Sequence, residues 1–376
     1  MEKLDFHGNV SSLGKELIGD EVSSIIIHGV GKNGFKKPDG RLDVGNSGTT
    51  LRLISILCSR FDFEVIIDGD VSIRSRDTKS LWNSMSDSGV KISYLEEEFR
   101  LPVKIHGPWF SKKQNKTLVL NVSKSSQPIS AWILSSSALE NELEIEFDGV
   151  PVSNRHWKLS LEMCNSNGAS IVFNENSLKI KPWELDLKSK IEIPKDASMV
   201  SFAMLAASYL DVPINVIGWP NKEDCIGHEI LFDISESVGI KWHNSNLIKF
   251  SDSNHIDVDI TNCNDIITPL SLMLAIASGG KISGALHTSF KESNRLKSTK
   301  ILIESFGMKC DFLEDGLFIP GNQVPVRPKN LVKTFGDHRV FMSAYILGCC
   351  VGAIIDGRGL HKIADERFIE RISKLY

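Results

Sequence analysis

Two hydrophobic patterns alternate along the chain. The first is a short polar segment followed by a run of small and apolar residues, which is typical of a capped and buried helix. It occurs five times, with the polar segment beginning at Gly45, Ser125, Asp196, Asn264 and Gly336. The starting positions recur about every 70 residues, and an internal period of this length predicts duplicated structural units.

The second pattern is an amphipathic run that stops near glycine and continues as a short strand. It reads LWNSMSDSGVKI up to Ile92, LSLEMCNSNGASI up to Ile171, ILFDISESVGIKW up to Trp242 and ILIESFGMKC up to Cys310. A further amphipathic run begins near Val10 without a capped helix before it. The array of units is therefore predicted to start half a unit late.

Strand-like stretches such as FEVIIDG, TLVLNV, LEIEFDG and LKIKPW alternate with these helical patterns, which predicts an α/β fold. The helices SFAMLAASYL and SLMLAIASGG are apolar on nearly every face. Such helices are too apolar for a protein surface, so we expect them to be buried with sheets packed around them.

The chain has 376 residues, more than the roughly 250 to 300 that one hydrophobic core usually organises. Two domains are therefore expected. The stretch LDLKSKIEIPKDAS carries many charges and a proline before a new capped helix, and it predicts a boundary near Ile193. The predicted domains are 1–193 and 194–376.

Composition limits the classes of function. The net charge is −4 without long runs of like charge, which argues against nucleic acid or an anionic membrane as a partner. The seven cysteines lack the spacing of a metal site and are expected to be reduced thiols. No apolar stretch approaches ~18 residues and no signal-peptide core is evident, so a cytoplasmic protein is predicted. A monomer without metal or cofactor is expected as well.

The capped helix starts are candidate anion sites. Free backbone N–H groups and small polar side chains at a helix start bind phosphate or carboxylate groups. An ordinary helix cap explains any one of these starts as well, but their repetition beside basic residues favours binding. The candidates are Asn46, Gly48, Thr49, Ser125, Ser126 and Gln127.

Basic residues near these starts indicate a small substrate with several negative charges, because arginine binds carboxylate and phosphate through paired N–H groups. For any single basic residue, the alternative to a binding role is a solvated surface charge. The candidates are Arg52, Arg76, Lys291, Arg295, Arg339 and Lys362.

Two carboxylates are candidates for proton transfer. Asp265 stands at the start of an apolar helix, and Glu292 lies between Lys291 and Arg295. Capping of the helix explains Asp265 equally well, and an ion pair with Arg295 explains Glu292. His338, in the Asp337 to Arg339 cluster, suits either a structural or a functional role.

The segments GNSGT, SSQ, KESNR and GDHR occur in this order, and together they closely resemble the EPSP synthases, the 3-phosphoshikimate 1-carboxyvinyltransferases, in their archaeal type. The resemblance implies an inside-out α/β barrel of two domains, each made of three βαβαββ units. Six units are expected in that family, and this chain shows five and a half, with the first incomplete.

The resemblance also implies a reaction, the transfer of the enolpyruvyl group of phosphoenolpyruvate to the 5-hydroxyl of shikimate 3-phosphate with release of phosphate. The substrate phosphate would contact Ser125, Ser126, Ser153 and Lys291, with Gln127 near the ring. Phosphoenolpyruvate would contact Arg76, Arg295, Arg339, Lys362 and the backbone of Gly48. Glu292 would donate a proton and Asp265 would accept one, with Lys362 counted among the catalytic residues. Asn46, Thr49, Arg52, His287, Asp337 and His338 are further candidates.

The chain departs from the family pattern in two respects. A PGSKS-like motif expected near the N-terminus is absent from the sequence, so we expect an N-terminal segment to be missing. His287 stands where the family has an asparagine that contacts the ring, and His156 stands where it has a tyrosine.

Two alternative functions stay open at this point. A UDP-N-acetylglucosamine enolpyruvyltransferase would carry a cysteine in a loop just before Arg76, and FDFEVIIDGDVSIR contains none. A truncated, non-catalytic homologue that binds phosphorylated metabolites would fit the missing motif, although the full set of basic candidates argues against decay.

Overall fold

The structure is a computed structural model that describes residues 10–13, 24–31, 34–110, 116–187, 196–210, 212–216, 222, 225, 227–243 and 246–375. The chain divides into two compact units, Met1–Ile191 and Glu192–Tyr376, called unit 1 and unit 2 below. The predicted boundary at Ile193 lies outside the described residues.

In unit 1, helices alternate with short strands. In chain order the elements are β1 (Val10–Leu13), β2 (Ser24–Ile27), β3 (Leu42–Asp43), α1 (Gly48–Cys58), β4 (Glu64–Asp68), α2 (Val71–Arg74), α3 (Lys79–Asp87), β5 (Lys91–Tyr94), β6 (Val103–His106), β7 (Lys116–Asn121), α4 (Gln127–Ser135), β8 (Leu143–Asp148), α5 (Asn154–Asn165), β9 (Ile171–Asn174) and β10 (Ser177–Ile180).

Unit 2 has the same alternation. Its elements are α6 (Val200–Leu210), β11 (Ile214–Asn215), α7 (Ile230–Asp233), β12 (Ile240–His243), β13 (Asn246–Lys249), β14 (Ile256–Asp259), α8 (Ile267–Ile276), β15 (Gly279–Ser283), α9 (Arg295–Ser305), β16 (Asp311–Phe312), β17 (Leu317–Pro320), α10 (His338–Val351) and α11 (Phe368–Ser373). Short 3-10 turns precede α6 and α8, at Ala197–Met199 and Asn264–Ile266.

One sheet topology recurs in both units. The strand orders are β3-β4-β6-β5 and β7-β8-β10-β9 in unit 1, and β14-β15-β17-β16 in unit 2. In each sheet the first two strands are parallel and the remaining pairs are antiparallel. Parallel neighbours need a crossover, and a helix supplies it each time. The predicted α/β class and the repeated βαβαββ unit are confirmed.

Partial copies of the unit occur elsewhere. Strands β11, β13 and β12 form a three-stranded sheet, and an isolated parallel bridge joins Val332 to Ile355 on either side of α10. The amphipathic run near Val10 begins as a strand, because Val10–Leu13 pairs antiparallel with the isoleucine-rich segment Ser24–Ile27. The rest of that run lies outside the described residues.

The five predicted helix starts are confirmed. Ser47 caps α1 by accepting a hydrogen bond from the Thr50 amide at 3.1 Å. Asp196 and Asp337 cap the turn before α6 and the start of α10 in the same way. These short polar side chains satisfy amides that have no partner inside the helix.

The most apolar helices are the most buried, as predicted. In α8 every residue from Ile267 to Ala275 is buried, and α6 is buried along most of its length. Each unit has a separate apolar core, so the helix starts are positioned by packing within one unit. In the described part of the chain, no helix is both long and apolar enough to cross a membrane.

Candidate functional site

In unit 1 the starts of α1 and α4 meet around Gly48. The Gln127 side-chain amide donates a hydrogen bond to Thr49 Oγ1 at 2.8 Å. A Cβ atom built on Gly48 would lie 2.8 Å from Arg52 Nη1, 3.1 Å from Arg76 Nη1 and 3.5 Å from Gln127 Oε1. The absence of a side chain at Gly48 therefore lets two guanidinium groups approach the helix start.

The two arginines in this cluster form a concentrated positive charge. Arg52 is buried and donates to the Gly48 carbonyl at 2.9 Å. Burial, and then the charge of Arg76, lower the pKa of Arg52 to about 10, with Asp77 opposing them. A lowered arginine pKa means that the local environment disfavours positive charge, and a bound anion would relieve this.

The remaining unit 1 candidates also lie at or next to helix starts. Ser126 is buried at the start of α4, and Ser125 Oγ accepts from the Gln127 amide at 3.3 Å. Ser153 precedes α5 with a backbone φ of 52°, and Asn46 lies in the turn before α1. Ser125, Ser126 and Gln127 are thus grouped with Gly48 and Thr49 through the Gln127 contact.

In unit 2 one buried guanidinium organises the candidate acid and base. Arg295 is 1% exposed and donates from Nε to Asp337 at 2.8 Å and from Nη1 to Asp265 at 2.5 Å. Its Nη2 atom donates to Glu292. The ion pair between Glu292 and Arg295 that the sequence suggested is present, and it belongs to a cluster of three carboxylates.

Arg339 differs from Arg295 in its partners. Its Nη2 atom donates to Ser198 Oγ at 3.0 Å and lies 3.5 Å from Asp265 Oδ2. Its Nε and Nη1 atoms are buried and have no hydrogen-bond partner within the described part of the chain. Buried donors of this kind are costly unless a ligand or water satisfies them, so Arg339 is a candidate for anion binding.

Asp337 connects the two arginines. It is fully buried, and its Oδ1 accepts from the Arg339 amide at 2.9 Å while its Oδ2 accepts from Arg295 and from Ser293 Oγ at 3.0 Å. Burial alone would raise the pKa of Asp337, but Arg295, His338 and the Arg339 amide together outweigh burial and lower the pKa. Asp337 is therefore an ionised residue that fixes both arginines.

Asp265 is held in its charged form. Burial alone would raise its pKa, but Arg339, Arg295 and Lys291 outweigh burial and lower the pKa well below its usual value. The cap of the turn Asn264–Ile266 is Cys263, so Asp265 is not the capping residue. Its oxygens face Arg295 and Arg339 instead, which agrees with a role in the polar cluster.

Two buried histidines next to this cluster are neutral. Burial together with Lys291 lowers the pKa of His287 to about 4, and burial together with Arg339 and Arg295 lowers the pKa of His338 to about 4. His287 Nε2 and His338 Nδ1 have no hydrogen-bond partner among the described residues. Neutral imidazoles add polar atoms to the cluster without adding positive charge.

Lys362 is exposed and lies in the 3-10 turn Leu360–Ile363. The preceding residue, His361, is buried, and its ring stacks on Phe341 with 5.7 Å between the ring centroids. Phe341 belongs to α10, the helix that carries Arg339. The structure thus anchors the backbone of Lys362 to α10 and leaves its ammonium group accessible.

Sequence reasoning missed Ser198, Asp196 and Ser293 as members of the cluster. Ser198 and Asp196 lie in the DASM segment, which the sequence presents only as a helix start, and Ser293 lies inside KESNR. The sequence feature that could have identified these three residues is their position within the repeated polar segments.

Comparison with known proteins identifies the family of the chain. A family model described as EPSP synthase (3-phosphoshikimate 1-carboxyvinyltransferase) matches residues 8–372. The chain belongs to the EPSP synthase family. The 3-phosphoshikimate 1-carboxyvinyltransferase of Caldicellulosiruptor saccharolyticus is 30% identical over 342 residues, which cover 85% of this chain and 76% of that relative. The enzyme of that name from the archaeal relative Methanosphaera stadtmanae is 26% identical over 351 residues, covering 89% and 80%.

Solved structures give the same fold. An EPSP synthase from Acinetobacter baumannii superposes with a TM-score of 0.71 at 21% identity, covering 100% of this chain and 85% of that one. The enolpyruvyl transferase NikO from Streptomyces tendae gives a TM-score of 0.69 at 14% identity, with the same coverage. The predicted two-domain α/β fold of the EPSP synthase family is confirmed.

Replacing Arg295 by methionine should destabilise unit 2 by about 3 to 5 kcal/mol at pH 7, because three carboxylates would lose their central cation. In the wild type, the lowered pKa values of Asp265 and Asp337 stabilise the fold above the pKa of an unfolded aspartate, and this stabilisation is lost as pH falls. In R295M the pKa of buried Asp337 should rise above that of an unfolded aspartate, because burial is no longer opposed by Arg295, so the contribution of Asp337 to stability should instead be lost as pH increases. Denaturant unfolding at pH 7 and pH 4.5 should therefore show a smaller deficit at the lower pH.

The matched control is Arg371→Met, which removes an ion pair with Asp365 in which the arginine is 56% exposed. It should cost less than about 1 kcal/mol at either pH. A similarly small loss for R295M, or a deficit that does not change with pH, would contradict the central role of Arg295.

Proposed function

We propose that this chain transfers the enolpyruvyl group of phosphoenolpyruvate to the 5-hydroxyl of shikimate 3-phosphate and releases phosphate. The family match over residues 8–372 and the relatives named as 3-phosphoshikimate 1-carboxyvinyltransferases support this activity. The structural observation that carries it is the Arg295 guanidinium, which holds Asp265 and Glu292 on adjacent nitrogen atoms. The reaction needs one group to donate a proton and another to accept one, close together.

Anion binding in unit 2 is assigned to Arg339, Arg295 and Lys362. Arg339 has buried N–H groups available for an anion, and Arg295 can exchange a carboxylate partner for a substrate oxygen. Arginine forms two parallel hydrogen bonds with a carboxylate or a phosphate, which suits phosphoenolpyruvate. The accessible Lys362 adds a point charge.

Anion binding in unit 1 is assigned to the helix starts. Ser125, Ser126 and Ser153 offer hydroxyl and amide donors to the phosphate of shikimate 3-phosphate. The Gln127 side chain is assigned to contact with the ring of shikimate 3-phosphate. Arg76 and the Gly48 backbone are assigned to phosphoenolpyruvate, because the missing Gly48 side chain leaves room beside the arginine.

The charge balance in unit 2 explains how the two carboxylates take different roles. Asp265 stays ionised because of its cationic neighbours, so it can accept a proton. Glu292 pairs with Arg295 in the absence of substrate. When an anion takes over the Arg295 N–H groups, the ion pair of Glu292 with Arg295 weakens and Glu292 gains a negative neighbour. Both changes raise a carboxyl pKa, so Glu292 becomes able to carry the proton that the methylene carbon receives.

The comparisons do not favour the two alternative functions considered from the sequence. A cytoplasmic location and a monomeric state stay predictions.

The direct test is phosphate release by the purified chain with phosphoenolpyruvate, shikimate 3-phosphate or both. Release should occur only with both substrates, and enolpyruvylshikimate 3-phosphate should form in equal amount. Glu292→Gln preserves shape but removes the proton, so it should lower kcat by about 10²- to 10⁴-fold while both substrates still bind.

Glu304→Gln is the matched control, since Glu304 forms an exposed ion pair with Lys300 on α9. It should leave kcat unchanged. Phosphate release from phosphoenolpyruvate alone would contradict the proposed transfer, and full activity of E292Q would remove Glu292 from the proton-transfer step.

Gly48→Ala should weaken phosphoenolpyruvate binding without unfolding the protein. The added Cβ would come within 2.8 Å of Arg52 Nη1 and 3.1 Å of Arg76 Nη1, and flexible arginine ends can move away. Loss of one charge-assisted hydrogen bond should raise the KM for phosphoenolpyruvate about 10- to 100-fold. In the control Gly40→Ala a Cβ would meet nothing within 4 Å, so an equal effect of both variants would refute the explanation.

A further inference from the structure

Ser198 lies in the 3-10 turn Ala197–Met199 that leads into α6, and only 2% of it is exposed. Its Oγ atom accepts a hydrogen bond from Arg339 Nη2 at 3.0 Å. The two residues are 141 positions apart in the chain. The contact therefore links the starts of two buried helices, α6 and α10, through the guanidinium of Arg339.

The direction of the hydroxyl hydrogen follows from a second contact. Asp196 Oδ1 accepts two hydrogen bonds from Ser198. One comes from Ser198 Oγ at 2.7 Å and the other from the Ser198 backbone amide at 2.9 Å. A serine hydroxyl has a single hydrogen, so with that hydrogen on Asp196 it offers only lone pairs to Arg339. Asp196 thus fixes both the backbone and the hydroxyl of Ser198.

The hydroxyl orients Arg339 without cancelling its charge. Arg295 is surrounded by three carboxylates, whereas the hydrogen bond from Arg339 Nη2 goes to a neutral oxygen and Asp265 lies farther away at 3.5 Å. This arrangement occupies one end of the guanidinium. The N–H groups on Nε and Nη1 keep both their direction and most of their electrostatic attraction for an anion.

We infer that Ser198 is a positioning residue that sets the orientation of Arg339 for binding the anionic enolpyruvyl donor. The inference rests on the proposed function, which supplies phosphoenolpyruvate as the anion. Asp196 acts through Ser198, so the chain of contacts runs from Asp196 to the hydroxyl and then to the guanidinium.

The test is a double-mutant cycle with Ser198→Ala and Arg339→Ala, in which calorimetry gives the Kd for phosphoenolpyruvate alone, so that the heat of turnover does not contribute. S198A keeps the backbone cap from Asp196, and thermal unfolding checks that the fold is retained. Ser201→Ala is the matched control, because Ser201 lies on α6, is fully buried and donates to the Ser198 carbonyl.

S198A should raise the Kd for phosphoenolpyruvate about tenfold, corresponding to the loss of one hydrogen bond to a charged group. The kcat and the KM for shikimate 3-phosphate should change little, and S201A should leave the Kd unchanged. S198A should add nothing further in the R339A background. Ser198→Asp should weaken binding more than S198A, because a carboxylate would neutralise Arg339.

An unchanged Kd in S198A, or equal effects of S198A with and without Arg339, would overturn the inference while leaving the proposed function intact. A wild-type protein that binds phosphoenolpyruvate but does not turn over would overturn the proposed function, and the binding cycle would still decide the role of Ser198. A wild-type protein that binds no phosphoenolpyruvate would overturn both.

Discussion

The polar centre of unit 2 depends on the contact between the buried Arg295 guanidinium and the carboxylates of Asp265, Glu292 and Asp337. Removing a guanidinium from water costs several kcal/mol, and several well-placed hydrogen bonds are needed to offset that cost. With Arg339 and Lys291 nearby, three cations balance three carboxylates. An incoming anion disturbs this balance, and a change in proton affinity is the expected physical response.

The fold places this cluster by repeating the βαβαββ motif. In three copies of the βαβαββ repeat a buried helix crosses between two parallel strands. Several helix starts carry a capping side chain, such as Ser47, Asp196 or Asp337. The apolar body of the helix supplies stability through packing. Its first residues supply donors and charges. A single sequence pattern therefore provides both the core and the binding groups, which explains why polar segments recur with the period of the fold.

The sequence predicted the features that depend on local pattern. The five helix starts, the buried helices and the repeated unit all follow from periodicity and capping residues near one another in the chain. The ion pair of Glu292 with Arg295 was also visible, because the two are three residues apart. The partnership of Arg295 with Asp265 and Asp337 and that of Arg339 with Ser198 join residues 30, 42 and 141 positions apart, which no local pattern reveals.

The most direct test of the central claim follows the proton that Glu292 is proposed to deliver. In D₂O, addition of deuterium to the methylene carbon gives a CH₂D group in the tetrahedral intermediate, and loss of phosphate with one hydrogen returns a vinyl group. Mass spectrometry of product formed by the wild-type chain in D₂O should therefore show deuterium in the vinyl group. Product formed at the wild-type rate without deuterium there would contradict proton transfer by the carboxylates that Arg295 holds.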